Sequence, residues 1–375
     1  MNLLRALLLA IFIAGPAMAA GPDELPDIGS PAEATISLDD EYRIGLMIMR
    51  GLRDSGQILD DPEAAQYIDS VGHQLSSGAQ EGNRRFTFFI VKDSSINAFA
   101  LPGGFIGINS GLLLETQSES ELAGVLAHEI AHVTQRHIAR GLAEQSRTSL
   151  VSTAAMLAAI LLGATAGAGD AAMAGVAAAQ TLALQQQMTF TRANEIEADR
   201  VGMGVLVGAG FDPNGMPAFF GTMARRAGVN ESQIPAIVRS HPITTDRIAE
   251  SKNRAAQFTG KNGMRTVSNS VGYELTRERL RVLTTPPGEN AVDYYQAANK
   301  TEANATRAQR YGKAIALLTS EQASKAIPLL QQLRADDETV VQYHIALAQA
   351  QSLSGQSDAS LVTFEQARKL FPRNV

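Results

Sequence analysis

Three of the six histidines in the chain lie within the fourteen residues "GVLAHEIAHVTQRH", residues 124–137. His128, Glu129 and His132 form the pattern H-E-x-x-H. On a helix, positions i and i+4 share a face, so the two imidazoles would converge on one point. Two neutral imidazole nitrogens there can hold Zn²⁺, and the intervening carboxylate can reach a water on the ion. The spacing therefore predicts one zinc ion per chain and hydrolytic chemistry.

A catalytic zinc ion needs a third protein ligand, and the chain has no cysteine to supply it. In "ANEIEADRVG", Glu195 and Asp199 are four residues apart and share a helical face. We predict that Glu195 ligates the ion while Asp199 accepts the free N–H of an imidazole ligand, with His128 as the expected partner. Glu197 points elsewhere and is predicted to be a solvated or helix-pairing carboxylate. An ordinary acidic helix is the alternative.

His137, the third histidine of the motif region, is predicted to be a surface or packing residue. The sequence indicates one helix that begins with a capping box at Ser118 and Glu121 and ends near Gly141. On such a helix His137 would lie half a turn away from His128 and would face away from the ion.

The elements that must position these residues are mostly helical. Helical spacing covers residues 39–56, 62–77 and much of 190–283, while "FTFFIVKD" and "INAFALPGGFIGINSGLL" predict a small sheet of two or three strands. A Pro-Pro-Gly linker follows at 286–288. We predict an α+β, zincin-like metalloprotease domain over residues 21–285 and a separate all-α region over residues 290–375.

The all-α region carries a weak internal repeat of 34 residues, in which Ala326, Leu330 and Leu333 align with Ser360, Phe364 and Ala367. This period favours tetratricopeptide repeats, with a plain helical bundle as the alternative. Such arrays usually need at least three units, so the helices of residues 291–318 must contribute or the repeat domain is incomplete.

The composition and the first 20 residues indicate where the protein is located and which partners are excluded. Residues 1–20 have a basic start, a short apolar run and an A-x-A site, which predicts a cleaved signal peptide and export to the periplasm. A net charge of −6 argues against nucleic acid as a partner. The apolar residues 150–178 are expected to form a buried helical hairpin or, alternatively, a segment that contacts the membrane surface or plugs a cavity beside the active site.

The motifs "LPDIGS", "INAFALPGG", "AHEIAHVTQRH", "NEIEADRVG" and "SHPITTDR", together with the trailing repeats, resemble the gluzincin family of the CAAX prenyl-protein endopeptidases and their soluble periplasmic relatives. The resemblance implies that His241 can occupy the open position of the zinc ion and hold the enzyme latent. It would also place Arg247 near the scissile carbonyl. It further implies clients among outer-membrane β-barrel proteins and partners in their assembly machinery, bound through the repeats.

The function expected from the sequence is hydrolysis of peptide bonds in misfolded or stalled envelope proteins. Glu129 would be the general base, and Arg247 or His241 would stabilise the oxyanion. An unfolded substrate would add as a strand along the edge formed by Ala98, Phe99, Ala100, Leu101, Pro102, Gly103 and Gly104. The alternative is a chaperone or scaffold that binds assembly partners through its repeats while its zinc site stays latent.

Overall fold

The computed structural model describes residues 36–77, 85–144, 190–229, 234–262, 267–298 and 305–374. Over these ranges the chain is mostly helical with one small sheet, as the sequence predicts. The expected signal peptide (1–20) and the apolar residues 150–178 lie outside the described residues. None of the helices described is long and apolar enough to cross a membrane.

The sheet has three strands and follows two helices, α1 (Leu38–Asp54) and α2 (Pro62–Ser77). Its strands are β1 (Thr87–Val91), β2 (Ala98–Leu101) and β3 (Phe105–Asn109), in the order β1-β3-β2. β1 pairs with β3 in parallel, and β2 pairs with β3 antiparallel, with Ala98 opposite Ile108. β2 is therefore an edge strand, and a short 3₁₀ turn (Pro102–Gly104) joins it to β3.

The helices that carry the predicted site follow the sheet. They are α3 (Ser110–Glu115), α4 (Glu119–Thr134), α5 (His137–Glu144), α6 (Arg192–Gly208), α7 (Gly215–Val229), α8 (Ala236–Ser240), α9 (Thr245–Asn262) and α10 (Val271–Leu283). α4 is buried along almost its whole length and packs against β2, α6 and α7. The close approach of α6 depends on Gly202, because a Cβ at this position would lie 2.9 Å from the carbonyl oxygen of Ala127.

The prediction of a single helix from Ser118 to near Gly141 is wrong, because the chain turns between α4 and α5. Arg136 adopts a left-handed conformation with φ 53° at this turn. Its guanidinium donates to Glu41 over 2.6 and 2.9 Å, and this ion pair is buried. The contact with α1, far away in the sequence, stabilises a break that local helix propensity does not reveal.

The described residues beyond α10 form five further helices with a core of their own. They are α11 (Ala291–Ala298), α12 (Arg307–Thr319), α13 (Ala323–Asp336), α14 (Val341–Leu353) and α15 (Ser357–Leu370). α14 begins 34 residues after α12, and α15 begins 34 residues after α13, which is the spacing of the sequence repeat. α10 contributes to both cores, with Tyr273 and Leu280 on one and Leu275 and Val282 on the other. Identification of these helices as tetratricopeptide repeats stays a prediction.

Candidate metal centre

Four side chains from three parts of the chain bring ligand atoms together in the interior. His128 and His132 come from α4, Glu195 from α6, and His241 directly follows α8. All four are buried, and one ligand atom from each lies within 4.8 Å of the others. His128 and His132 are four residues apart on α4, and this spacing places both imidazoles on one face of the helix, as the sequence predicts.

The donor set and its distances fit a zinc ion. Neighbouring ligand atoms are 2.9–3.5 Å apart, which includes 3.0 Å between the Nε2 atoms of His128 and His132. Tetrahedral zinc with bonds of about 2.0–2.1 Å separates its ligand atoms by about 3.3–3.4 Å. Three imidazoles and one carboxylate are also donors that zinc prefers.

Glu129 lies beside this cluster with no exposed surface. Neither of its carboxylate oxygens has a hydrogen-bond partner among the described residues, and Nε2 of His241 lies 3.6 Å from Oε1. A buried carboxylate without partners is costly unless an ion or a bound molecule compensates it. The position is therefore consistent with a group that receives a proton at the metal centre.

Asp199 connects the histidine cluster to Arg247. Its Oδ1 lies 3.0 Å from Nδ1 of His128, which is the contact expected of a carboxylate behind an imidazole ligand. Nε and Nη2 of Arg247 donate to Asp199 over 2.7 and 2.8 Å. Nη1 of Arg247 donates to the carbonyl of Pro242 and lies 2.7 Å from Glu195. The structure thus places Arg247 behind the carboxylates; a role at the scissile carbonyl stays a prediction.

His137 does not face away from the site, contrary to the expectation from a single helix. The turn at Arg136 brings its ring back, so that Nδ1 of His137 lies 2.9 Å from Nδ1 of His132. His137 is not among the four clustered ligand residues. Glu197 pairs with His137 and with Arg140 of α5, so it is a helix-pairing carboxylate.

The charges around the ligands explain the direction of their pKa shifts. Burial would lower the pKa of His128, but contacts with Asp199 and Glu195 raise it to about 10. Burial lowers the pKa of His132 well below its usual value. For Glu195, burial is outweighed by His241 and by the two helix imidazoles, so its pKa lies far below the ordinary range. The site therefore presents an ionised carboxylate to a cation.

Two neighbours of the site were not indicated by the sequence. The ring of Phe190 lies 4.1 Å from that of His132 and 5.4 Å from that of His241, centroid to centroid. Ile237 of α8 donates its backbone N–H to the carbonyl of Ile96, just before β2. Both contacts join residues far apart in the sequence, and no local pattern identifies them. The second places the His241 segment beside the predicted substrate strand.

Comparisons with known proteins identify related peptidases. The sequence pattern of Peptidase family M48 matches residues 62–255. Two relatives bear the name beta-barrel assembly-enhancing protease. The one in Vibrio cholerae is 40% identical over 87% of this chain and 67% of its own length. The one in Escherichia coli is 36% identical over 89% of this chain and 68% of its own length. The mitochondrial metalloendopeptidase OMA1 of Schizosaccharomyces pombe is 30% identical over 48% of this chain and 50% of its own length.

Proposed function

The chain belongs to peptidase family M48 and is a metalloendopeptidase, and we propose that it uses zinc and works in the periplasm on envelope proteins. The observation that supports this most is the convergence of four buried ligand atoms beside the buried carboxylate of Glu129, which accepts no hydrogen bond from the described residues. The features of residues 1–20 support export.

The residues of the site divide the chemistry between them. His128, His132 and Glu195 would hold the ion, and when bound zinc supplies Lewis-acid activation of a carbonyl and of water. Glu129 takes a proton from the attacking water and delivers it to the amine that leaves. Its burial keeps the carboxylate out of bulk water, and its place in α4 between His128 and His132 fixes its position relative to these two ligands.

His241 supports a latent resting state. Its Nδ1 lies 2.9 Å from Glu195 and 3.4 Å from Nε2 of His128, so with zinc bound its imidazole would occupy the position in which a substrate approaches the ion. Substrate must then displace the segment that carries His241. The backbone N–H of Ile237 in this segment donates to the carbonyl of Ile96, just before β2, so a substrate strand added along residues 98–104 would lie beside the segment.

The proposed clients are misfolded or stalled outer-membrane β-barrel proteins, and the proposed partners belong to their assembly machinery. The names of the relatives in Vibrio cholerae and Escherichia coli support this choice. Helices α12–α15, with their 34-residue spacing, are the proposed partner-binding repeats. The second candidate function, a chaperone with little proteolysis, is favoured by the position of His241 among the ligands.

Digestion of an unfolded protein separates the two functions. The full chain is incubated with casein, with and without a zinc chelator, and zinc is then restored. Zinc-dependent cleavage supports the peptidase, and its absence at full zinc occupancy supports the chaperone. A chain that binds no zinc would contradict the proposed metal centre.

A further inference from the structure

His137 lies in a line of side chains that leads from the ligand cluster to the protein surface. Its Nδ1 is 2.9 Å from Nδ1 of His132, and its Nε2 is 3.0 Å from Oε2 of Glu197. Nη1 of Arg140 donates to this same carboxylate oxygen over 2.9 Å. His137 is only 1% exposed, whereas the side chain of Arg140 is 42% exposed.

The direction of the hydrogen bonds in this line follows from the ligand atom of His132. Its Nε2 faces the cluster, 3.0 Å from Nε2 of His128. A neutral imidazole that ligates through Nε2 carries its proton on Nδ1. Nδ1 of His137 must therefore accept this hydrogen bond, and the proton of His137 must be on Nε2, from which it donates to Glu197. Each atom then has a role that fits its neighbour.

We propose that His137 is a positioning residue that fixes the tautomer and ring orientation of His132 and so strengthens zinc binding. This inference rests on the proposed function, because it takes His132 as a zinc ligand. A carboxylate or carbonyl commonly accepts from the second nitrogen of a ligating imidazole, and such partners raise the basicity of the ligand. Here an imidazole stands between ligand and carboxylate, and Glu197 and Arg140 orient it in turn.

The turn between α4 and α5 serves this arrangement. A left-handed conformation at a non-glycine residue such as Arg136 is unfavourable. The guanidinium of Arg136 is held at this turn by its buried ion pair with Glu41. A continuous helix would avoid this conformation but would turn His137 away from His132.

Three substitutions at His137 separate positioning from packing. His137→Asn keeps an oxygen acceptor close to the place of Nδ1. His137→Leu introduces a side chain of the same size and branching as asparagine, but without an acceptor. His137→Phe keeps a ring without an acceptor. We expect His137→Leu and His137→Phe to weaken zinc binding by about 10–100-fold, as is typical when such a partner is lost, and His137→Asn to bind zinc much more like the unaltered chain.

The measurement is the dissociation constant of the full chain for Zn²⁺, by competition with a chromogenic chelator, with no substrate present. A pure packing role predicts the opposite order, with His137→Phe near normal and the Asn and Leu variants equally weak; that order, or equal binding by all variants, would overturn the inference. If the unaltered chain itself fails to bind zinc, the proposed function fails instead.

The melting temperature of each variant, measured with chelator present, shows whether the His137 variants fold. A second position tests the inference if they do not. Glu197 is 30% exposed, so Glu197→Ala removes the carboxylate that orients His137 without opening a cavity in the core. We expect weaker zinc binding in Glu197→Ala, with recovery in Glu197→Gln, whose side-chain oxygen can still accept. Unchanged zinc binding in Glu197→Ala would overturn the positioning role.

Discussion

The carboxylate of Asp199 accepts two hydrogen bonds from the guanidinium of Arg247, over 2.7 and 2.8 Å, inside the protein. Because Oδ1 of the same carboxylate lies 3.0 Å from Nδ1 of His128, the arginine holds in place the group that orients a ligand. Burial alone would raise the pKa of Asp199, but Arg247 and His128 lower it. The pair therefore keeps Asp199 ionised behind the ligand.

Arg247→Leu is expected to destabilise the protein before it affects chemistry. The substitution leaves the buried carboxylate of Asp199 facing His128 but no longer Arg247, and removal of one partner of a buried ion pair costs about 3–5 kcal/mol. Adding Asp199→Asn removes the stranded charge and should restore part of the stability. The free energy of unfolding is measured in urea with chelator present. Loss of activity without loss of stability would instead favour Arg247 as a donor to the scissile carbonyl.

Glu129→Gln should abolish hydrolysis while zinc stays bound. The amide keeps the shape of the side chain but cannot take a proton from water, so the rate should fall by about 10²–10⁴. Zinc content is measured alongside casein cleavage, and His132→Ala serves as the contrast, since it should lose zinc as well. Near-normal cleavage at full zinc occupancy would rule out the general-base role.

Gly202→Ala should lower zinc affinity by separating two helices. Its Cβ would lie 2.9 Å from the carbonyl oxygen of Ala127, so α6 would have to move away from α4 and carry Glu195 from the cluster. Gly204→Ala is the matched control, because a Cβ there meets nothing within 4 Å and alanine favours the helix by about 1 kcal/mol. Equal zinc affinity and melting temperature in the two variants would show that the close approach is not required.

The sequence predicts a site residue well when the interactions that position it are local in the sequence, and poorly when they come from residues far away in the chain. His128, His132, Glu195 and Asp199 follow from helical periodicity, which acts within one turn. The position of His137 does not, because Glu41 stabilises the turn from 95 residues away. The pairing of Arg247 with Asp199 likewise joins residues 48 positions apart. The mostly helical fold with a small sheet was predictable, since hydrophobic spacing is local.

Zinc affinity should fall as the pH falls. Contacts with Asp199 and Glu195 raise the pKa of His128 to about 10 although burial opposes this, so without the ion this imidazole carries a proton at pH 7. The pKa of His132 is lowered, and this ring needs no deprotonation. Zinc binding should release about one proton, and affinity should rise about tenfold per pH unit from pH 6 to 9. Calorimetry in buffers of different ionisation enthalpy measures the protons released; a pH-independent affinity would contradict this charge state.

His241→Ala tests whether the fourth imidazole keeps the enzyme latent. Because Nδ1 of His241 lies 2.9 Å from Glu195 inside the ligand cluster, its removal opens one position at the ion while three protein ligands remain. We expect faster basal cleavage of casein and faster self-cleavage, since substrate no longer has to displace the side chain.

The matched control for this prediction is His73→Ala, which removes a half-exposed histidine on α2. A fall in cleavage with zinc retained would show that His241 is instead a donor to the transition state. Cleavage equal to that of the control would contradict both roles. Zinc content distinguishes all three results from loss of the ion, which is not expected because His128, His132 and Glu195 suffice as ligands.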